Sequence, residues 1–293
     1  IFIKTINFMF LMKRYYSNEI EKKLDKEEVL LKGWLHELRE LGSIKFLVLR
    51  DDKGSVQVTI LKKKIGEASF KEIGKIPKES VMEIKGHVSA NKEAPNGVEV
   101  ILDQFKVLNE SEPVLPLEVT EKTPALQKQR LDFRVIDLRK PKNHAIFVIQ
   151  SKLIQGMVEY LNENDFIQVF TPCIMGSASE SGAEVFKIDY YGKKAFLRQD
   201  PQLHRQLSIA SGFEKIYDLG PSWRAELSNT TKHLSEHRTI AVEQAFIEDE
   251  TDIIRLQENL IVKALEKVNK DCKEYLKLLN IKLKVPEKSF PEI

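Results

Sequence analysis

Five short β-favourable runs crowd into residues 29–108: VLLKGWLHELR, IKFLVLRD, SVQVTIL, VMEIKGHVSA and VEVILDQFKVL. The segments DDKGS and KEAPNG supply turns between some of them. Short strands in this number hide their edges best by closing on themselves, and the five-stranded solution is an oligonucleotide-binding type of barrel. NESEPVLPLEVTEKTP follows, proline-bearing and without periodicity, and reads as a linker.

Beyond the linker the period changes. Ile146, Ile149, Leu153, Met157, Tyr160 and Leu161 recur at helical spacing, and FIQVFTPCI is a strand ended by Pro172. QDPQLHRQLSIASG opens a second helix, with Asp200 suited to the N-cap, Pro201 to the first position, and Leu203, Leu207 and Ala210 on one face. KIYDLGPSWRAE and RTIAVEQAFIE read as strands flanking a polar loop. Residues 251–279 form a long amphipathic helix. The expected fold class is therefore α+β, divided into a tail (1–18), a barrel (19–108), a linker (109–132) and a second domain (133–293).

A net charge of +2 confines any nucleic-acid surface to a local patch. Cys173 and Cys272 lie far apart, without metal-ligand spacing, and read as reduced intracellular thiols. The opening IFIKTINFMFLM is broken by Lys4 and too short to span a bilayer. Residues 1–11 are read as upstream translation or a tail rather than an address, with Met12 a plausible start.

The chemistry-bearing residues concentrate near the second hairpin. Arg224 and Glu226, two apart on a strand, share a face that Glu243 on the return strand could join. A guanidinium there can grip phosphate bidentately; the plain alternative is an exposed ion pair worth little. Lys232 and His233 lie in the loop between. ASESGAEVF sets Glu180 and Glu184 in a small-residue, lid-like loop, and Arg205 follows on a helix where a cation could bind a carboxylate. In the barrel, Phe46 offers a stacking platform and Gln57 can read a base edge, although Phe46 could equally be core.

In this order the motifs resemble class II aminoacyl-tRNA synthetases, specifically the aspartyl enzymes of archaeal and eukaryotic type, from about Met12 onward. FIQVFTP resembles motif 1, the dimer-interface segment, and WRAELSNTTKHLSE resembles motif 2, with RLDFRVIDLR, ASESGAEVF, PQLHRQ and AFIEDE in family order. The resemblance implies an oligonucleotide-binding barrel followed by the N-terminal part of a class II antiparallel-sheet catalytic domain. It implies a cytoplasmic homodimer that activates L-aspartate with ATP and Mg2+ and transfers it to tRNA(Asp). By resemblance, Arg224 is catalytic, holding the α-phosphate and substrate carboxylate. Glu226, Lys232, His233 and Leu234 meet ATP; Glu180, Gln202, Leu203, His204 and Arg205 meet aspartate; Arg39, Phe46 and Gln57 meet the anticodon. His36 and Pro95 occupy positions that tune tRNA discrimination and resemble relaxed enzymes that also charge tRNA(Asn).

The chain departs from the family pattern at three positions. Asp200 and Arg205 stand where the family usually has the serine and lysine of Ser-Pro-Gln-Leu-x-Lys, and Ala241 replaces an acidic residue. Asp200 should hurt an anionic substrate unless it is turned away as the helix cap. The sequence stops at KSFPEI, before the magnesium-binding acids and motif 3 of related enzymes, so a gene fragment with no metal ligands of its own and an incomplete active site is expected. A non-catalytic RNA-binding or regulatory paralogue is the alternative. Against an asparaginyl enzyme stands Arg205, whose charge gains nothing from a neutral amide.

Overall fold

A computed structural model describes residues 13–287, apart from 121–123, 178–183, 226, 229 and 231. The chain divides into two compact units, one ending at His144 and the other starting at Ala145. In the first, β1 (Arg14–Tyr15) runs parallel to β2 (Glu28–Leu41), which begins an antiparallel meander with β3 (Ile44–Asp51) and β4 (Gly54–Leu61). α1 (Lys62–Ile73), β5 (Val81–Ala90) and β6 (Val98–Asn109) complete it. β6 lies between β4 and β5, and β5 pairs back onto β2, so the barrel expected from the five runs is closed. Its interior is aliphatic: Val29, Leu35, Leu47, Val58, Ile60, Met82, Ile84 and Leu102 are fully or almost fully buried. Gly33 and Gly86 are required where strands approach closely, because a Cβ would lie 2.3 Å from the Arg50 carbonyl oxygen and 2.4 Å from that of Ile101.

Glu79 is among the charged groups buried beside this core. Glu79 sits in the left-handed region at φ 67°, a conformation costing about 1–2 kcal/mol for a residue with a side chain. Arg50 grips its carboxylate at 2.7 and 3.1 Å, Arg139 donates at 3.0 Å, and His36 Nδ1 lies 3.3 Å away. Both guanidinium groups also lie over the Trp34 ring. Burial pushes the Glu79 pKa up, but the hydrogen bonds and charges of His36, Arg50 and Arg139 outweigh it and hold it at about 2, against an ordinary 4.5.

α2 (Gln127–Asp132) and α3 (Arg134–Asp137) follow the proline-bearing stretch. Asp137, fully buried, accepts from Arg130 at 2.9 Å and from Arg134 at 2.9 Å.

α4 (Pro141–Glu163) leads into the second unit, which continues with β7 (Ile167–Val169), β8 (Ile174–Met175), β9 (Lys187–Tyr190), β10 (Lys193–Leu197) and α5 (Gln202–Ala210). β11 (Lys215–Trp223) and β12 (Glu236–Gln244) pair antiparallel over their whole length, and β7 joins β11 in parallel. β10 pairs antiparallel with β8 and β9 in a separate three-stranded sheet. α6 (Glu250–Asp271) is capped by Asp249, whose carboxylate accepts from Thr251 N. Cys272 breaks the predicted long helix, and the chain resumes as α7 (Lys273–Leu278). Tyr217, Ile240 and Val242 pack with Leu161 of α4 and Leu256 and Leu260 of α6. One face of the hairpin therefore meets helices, and alternation turns Ser222, His237 and Thr239 to the other. Of the apolar stripe predicted on α4, Ile146 alone is exposed.

Arg198 secures that second face. Its guanidinium, 1 % exposed, bonds Asp218 at 3.0 Å, the Pro221 carbonyl at 2.5 Å and the Thr171 hydroxyl. Its backbone N–H donates to the Cys173 carbonyl and its carbonyl accepts from Trp223 N. The guanidinium lies against Gly220, where a Cβ would come within 2.1 Å of Nη2.

Three stability predictions rest on these buried charges. A carboxylate with a depressed native pKa contributes stability that is complete above pH 4.5 and lost as pH falls through about 2. For Glu79 this amounts to about 3 kcal/mol, so Glu79→Gln should flatten the urea-unfolding free energy over that window by a similar amount. Asp218→Ala strands a buried cation and should cost about 3–5 kcal/mol. Gly220→Ala, which must push a pinned guanidinium aside, should cost about 1–3 kcal/mol; unchanged urea midpoints would show that Arg198 is not held as described.

Candidate functional site

The open face of the β11–β12 hairpin floors a cavity of about 230 Å³ lined by Gln199, Asp200, Ser222, Arg224, His237, Thr239 and Ala241, with Ile240 at its edge. The register explains the set. Ser222 lies opposite His237 and Gly220 opposite Thr239, so alternate residues of two strands converge on one surface. Arg224 follows the last residue of β11 and stays in line because its N–H donates to the Ser235 carbonyl at 3.0 Å. The next N–H, of Ala225, donates to the Glu184 carbonyl at 2.9 Å, which ties the end of the lid-like segment to the hairpin. A guanidinium beside small polar side chains at a cavity mouth suits a phosphate or carboxylate ligand.

The other predicted site residues distribute unevenly. Glu180 and Glu226 lie outside the described residues. Lys232, His233 and Leu234 are exposed in the hairpin loop, where the Thr230 hydroxyl lies 2.7 Å from His233 Nδ1; none of the three lines the cavity. Gln202 and Leu203 are exposed on α5, while His204 is half-buried with Nδ1 lacking a hydrogen-bond partner. Gln199, His237 and Thr239 line the cavity without having been singled out. His237 and Thr239 were legible in principle, since they alternate with Ala241 on a strand facing Arg224.

Asp200 requires a correction. It does not cap α5: Pro201 holds the N-cap position with no side-chain cap bond. Its carboxylate instead takes Arg205 bidentately, at 2.8 and 3.1 Å, and Glu243 accepts from Arg205 Nε at 3.0 Å. Burial works against the guanidinium's charge, but Asp200 and Glu243 outweigh it and hold its pKa above the ordinary arginine value. Glu243 does share the strand face of Arg224, as alternation required, yet its partner is Arg205.

On the barrel, Arg39, Phe46 and Thr59 stand directly opposite one another across β2, β3 and β4, with Gln57 two residues from Thr59 on the same face. Phe46 is half-buried, on the side away from Leu47 and Leu49, and so is not core. Glu99, unforeseen, organises the row: it accepts from Gln57 Nε2 at 3.0 Å, from the Thr59 hydroxyl and from Asn91 Nδ2 at 3.0 Å. Arg39 extends toward solvent, donating to Glu37 at 2.8 Å. The structure does not bring His36 and Pro95 together. His36 lies at a bulge in β2 against Glu79, near the start of β5, whereas Pro95 is exposed in the turn that leaves its end.

Among the described residues no group of three or more His, Cys, Asp or Glu is arranged to hold a metal, and no helix is long and apolar enough to cross a membrane. The free cysteines are Cys173, exposed, and Cys272, buried.

Comparison with known proteins matches residues 29–108 to the OB-fold nucleic acid binding domain and residues 126–293 to the class II tRNA synthetases (D, K and N). An aspartate–tRNA(Asp/Asn) ligase from Archaeoglobus fulgidus is 43% identical over 280 residues, covering 96% of this chain and 65% of that protein. An aspartate–tRNA(Asp) ligase from Pyrococcus furiosus is 41% identical, covering 97% and 65%. Among solved structures, asparaginyl-tRNA synthetase from Pyrococcus horikoshii bound to asparaginyl-adenylate superposes with a TM-score of 0.85 at 32% identity, over 91% of this chain and 60% of that one. The aspartyl-tRNA synthetase of Entamoeba histolytica gives 0.80 at 25%, over 93% and 58%. This chain thus spans about two thirds of the length of the curated relatives. A closed barrel that presents an aromatic and polar row, joined in one chain to a hairpin with a guanidinium at its cavity, places this chain in the class II tRNA synthetase family of the D, K and N type.

Proposed function

We propose that the complete protein is an aspartate–tRNA ligase. In the first step the aspartate α-carboxylate attacks the α-phosphate of ATP, forming aspartyl-adenylate and releasing pyrophosphate. In the second, the terminal ribose hydroxyl of tRNA takes the aspartyl group and AMP leaves. The observation that carries this reading is Arg224, held by its own backbone at the mouth of the hairpin cavity. With the backbone fixed there, the Arg224 guanidinium stabilises negative charge as it builds on the phosphoryl oxygens. Gln199, Ser222 and His237 add polar groups around the same space.

ATP is the expected cofactor, and Arg224 in the cavity lining offers its phosphates a cation. Magnesium would neutralise the phosphates when bound, and the described residues offer no cluster that names its ligands. Arg205 is the cation available to a substrate side-chain carboxylate. The Arg39–Phe46–Thr59 row with Gln57 gives the barrel a stacking and hydrogen-bonding surface for anticodon bases of tRNA(Asp). Exposed Ile167 and Phe170, in the segment resembling motif 1, are consistent with a homodimer. A cytoplasmic location fits an enzyme of translation.

Relaxed use of tRNA(Asn) is supported by His36 and Pro95 and by the dual-specificity name of the Archaeoglobus fulgidus relative. In the complete protein, aspartate-dependent ATP–pyrophosphate exchange should fall at least about a hundredfold on Arg224→Ala, the scale set by loss of one preorganised charge-stabilising donor; unchanged exchange would remove Arg224 from the mechanism. Purified tRNA(Asn) should accept aspartate from the same enzyme, and charging no higher than a no-enzyme control would reject relaxed specificity.

A further inference from the structure

Arg205 is 4 % exposed and does not line the cavity, whereas Asp200 does. The Asp200 carboxylate covers the guanidinium with two parallel bonds, at 2.8 and 3.1 Å, and Glu243 occupies Nε at 3.0 Å. A guanidinium has five N–H donors, and three of them are already engaged by this chain's own acids. One arginine with two carboxylates also carries one net negative charge. An entering ligand therefore meets an anion where Arg205 alone would have offered a cation.

We propose that Asp200 is a specificity-determining residue that acts as the resident counter-ion of Arg205. A substrate side-chain carboxylate gains Arg205 only by displacing Asp200, while a neutral side chain faces no such competition. This rests on the reading of Arg205 as the cation that meets the substrate side chain. The displaced carboxylate has somewhere to go, since the Asp200 side chain is already 33 % exposed. The bidentate contact is charge-assisted, and giving it up is a penalty charged specifically to acidic substrates.

The test is ATP–pyrophosphate exchange by the complete protein with L-aspartate and with L-asparagine, in the wild type, Asp200→Asn, Asp200→Ser and Arg205→Gln. Asp200→Asn should lower the KM for aspartate about tenfold, the lower end of what a charged hydrogen-bonding competitor is worth. Preference for aspartate over asparagine should rise. If Asp200→Asn fails to fold, Asp200→Ser carries the same expectation. An aspartate KM that is unchanged or raised in the Asp200 variants, while Arg205→Gln raises it, overturns the proposal and leaves the reading of Arg205 intact. An aspartate KM that no variant moves removes Arg205 from the substrate site, and the proposal with it.

Discussion

The cavity depends on a guanidinium that never reaches it. Arg198 bonds Asp218 and the Pro221 carbonyl on β11, and Thr171 on the segment leaving β7. Its own backbone bridges Cys173 and Trp223. A charge buried this deeply is tolerated only when its donors are met, and a half-satisfied network would be worse than an apolar one. The consequence is positional. Residues 199 and 200 leave Arg198 toward the cavity, and Trp223, whose N–H the Arg198 carbonyl receives, immediately precedes Arg224. Gly220 belongs to the same arrangement, because any side chain there would occupy the guanidinium's place.

The barrel solves a similar problem with the opposite sign. Glu79 is a buried anion, and Arg50, Arg139 and His36 converge on it. Since His36 also lies 3.1 Å from Arg50 Nη1, its ring is fixed by a network that extends beyond β2. Substitutions at position 36 therefore act on barrel stability, which separates that position physically from Pro95 in its exposed turn.

Much of this was legible because local chemistry and global architecture agree. The five runs alternate or stay apolar as a closed sheet demands, and the hairpin strands pair over nine residues each as their composition implied. Phe46 and Gln57 alternate with buried residues and so fall by period on the outer face, whereas Arg39 joins them only because the bulge between Leu35 and Glu37 shifts β2. What escaped was set by tertiary partners. α1 was missed because Gly66, at φ 82°, interrupts KKKIGEASFKEI and blurs the spacing of Ile65, Phe70 and Ile73. Arg198 reads in sequence as an ordinary exposed cation, and only the approach of Asp218 and Thr171 makes it a core residue. Ile146 and Leu207 satisfy a helical period yet stay exposed, because periodicity records which face is apolar and not what covers it.

The charge set beside the cavity shows how one misplaced partner can mislead. Taken singly, Asp200 looked harmful to an anionic substrate and Arg205 looked like a loose replacement for a lysine. In the fold they are one contact: the planar fork of arginine takes Asp200 through two nitrogens while Nε reaches Glu243. A lysine ammonium cannot present that pair of parallel donors, so arginine at 205 is the residue that aspartate at 200 fits. The same contact weakens the argument that a basic residue at 205 rejects a neutral amide, because the charge in question is already balanced within the chain. Under the proposed role of Arg205, selectivity at this site becomes a property of the cluster, set by which carboxylate Arg205 holds when the substrate arrives.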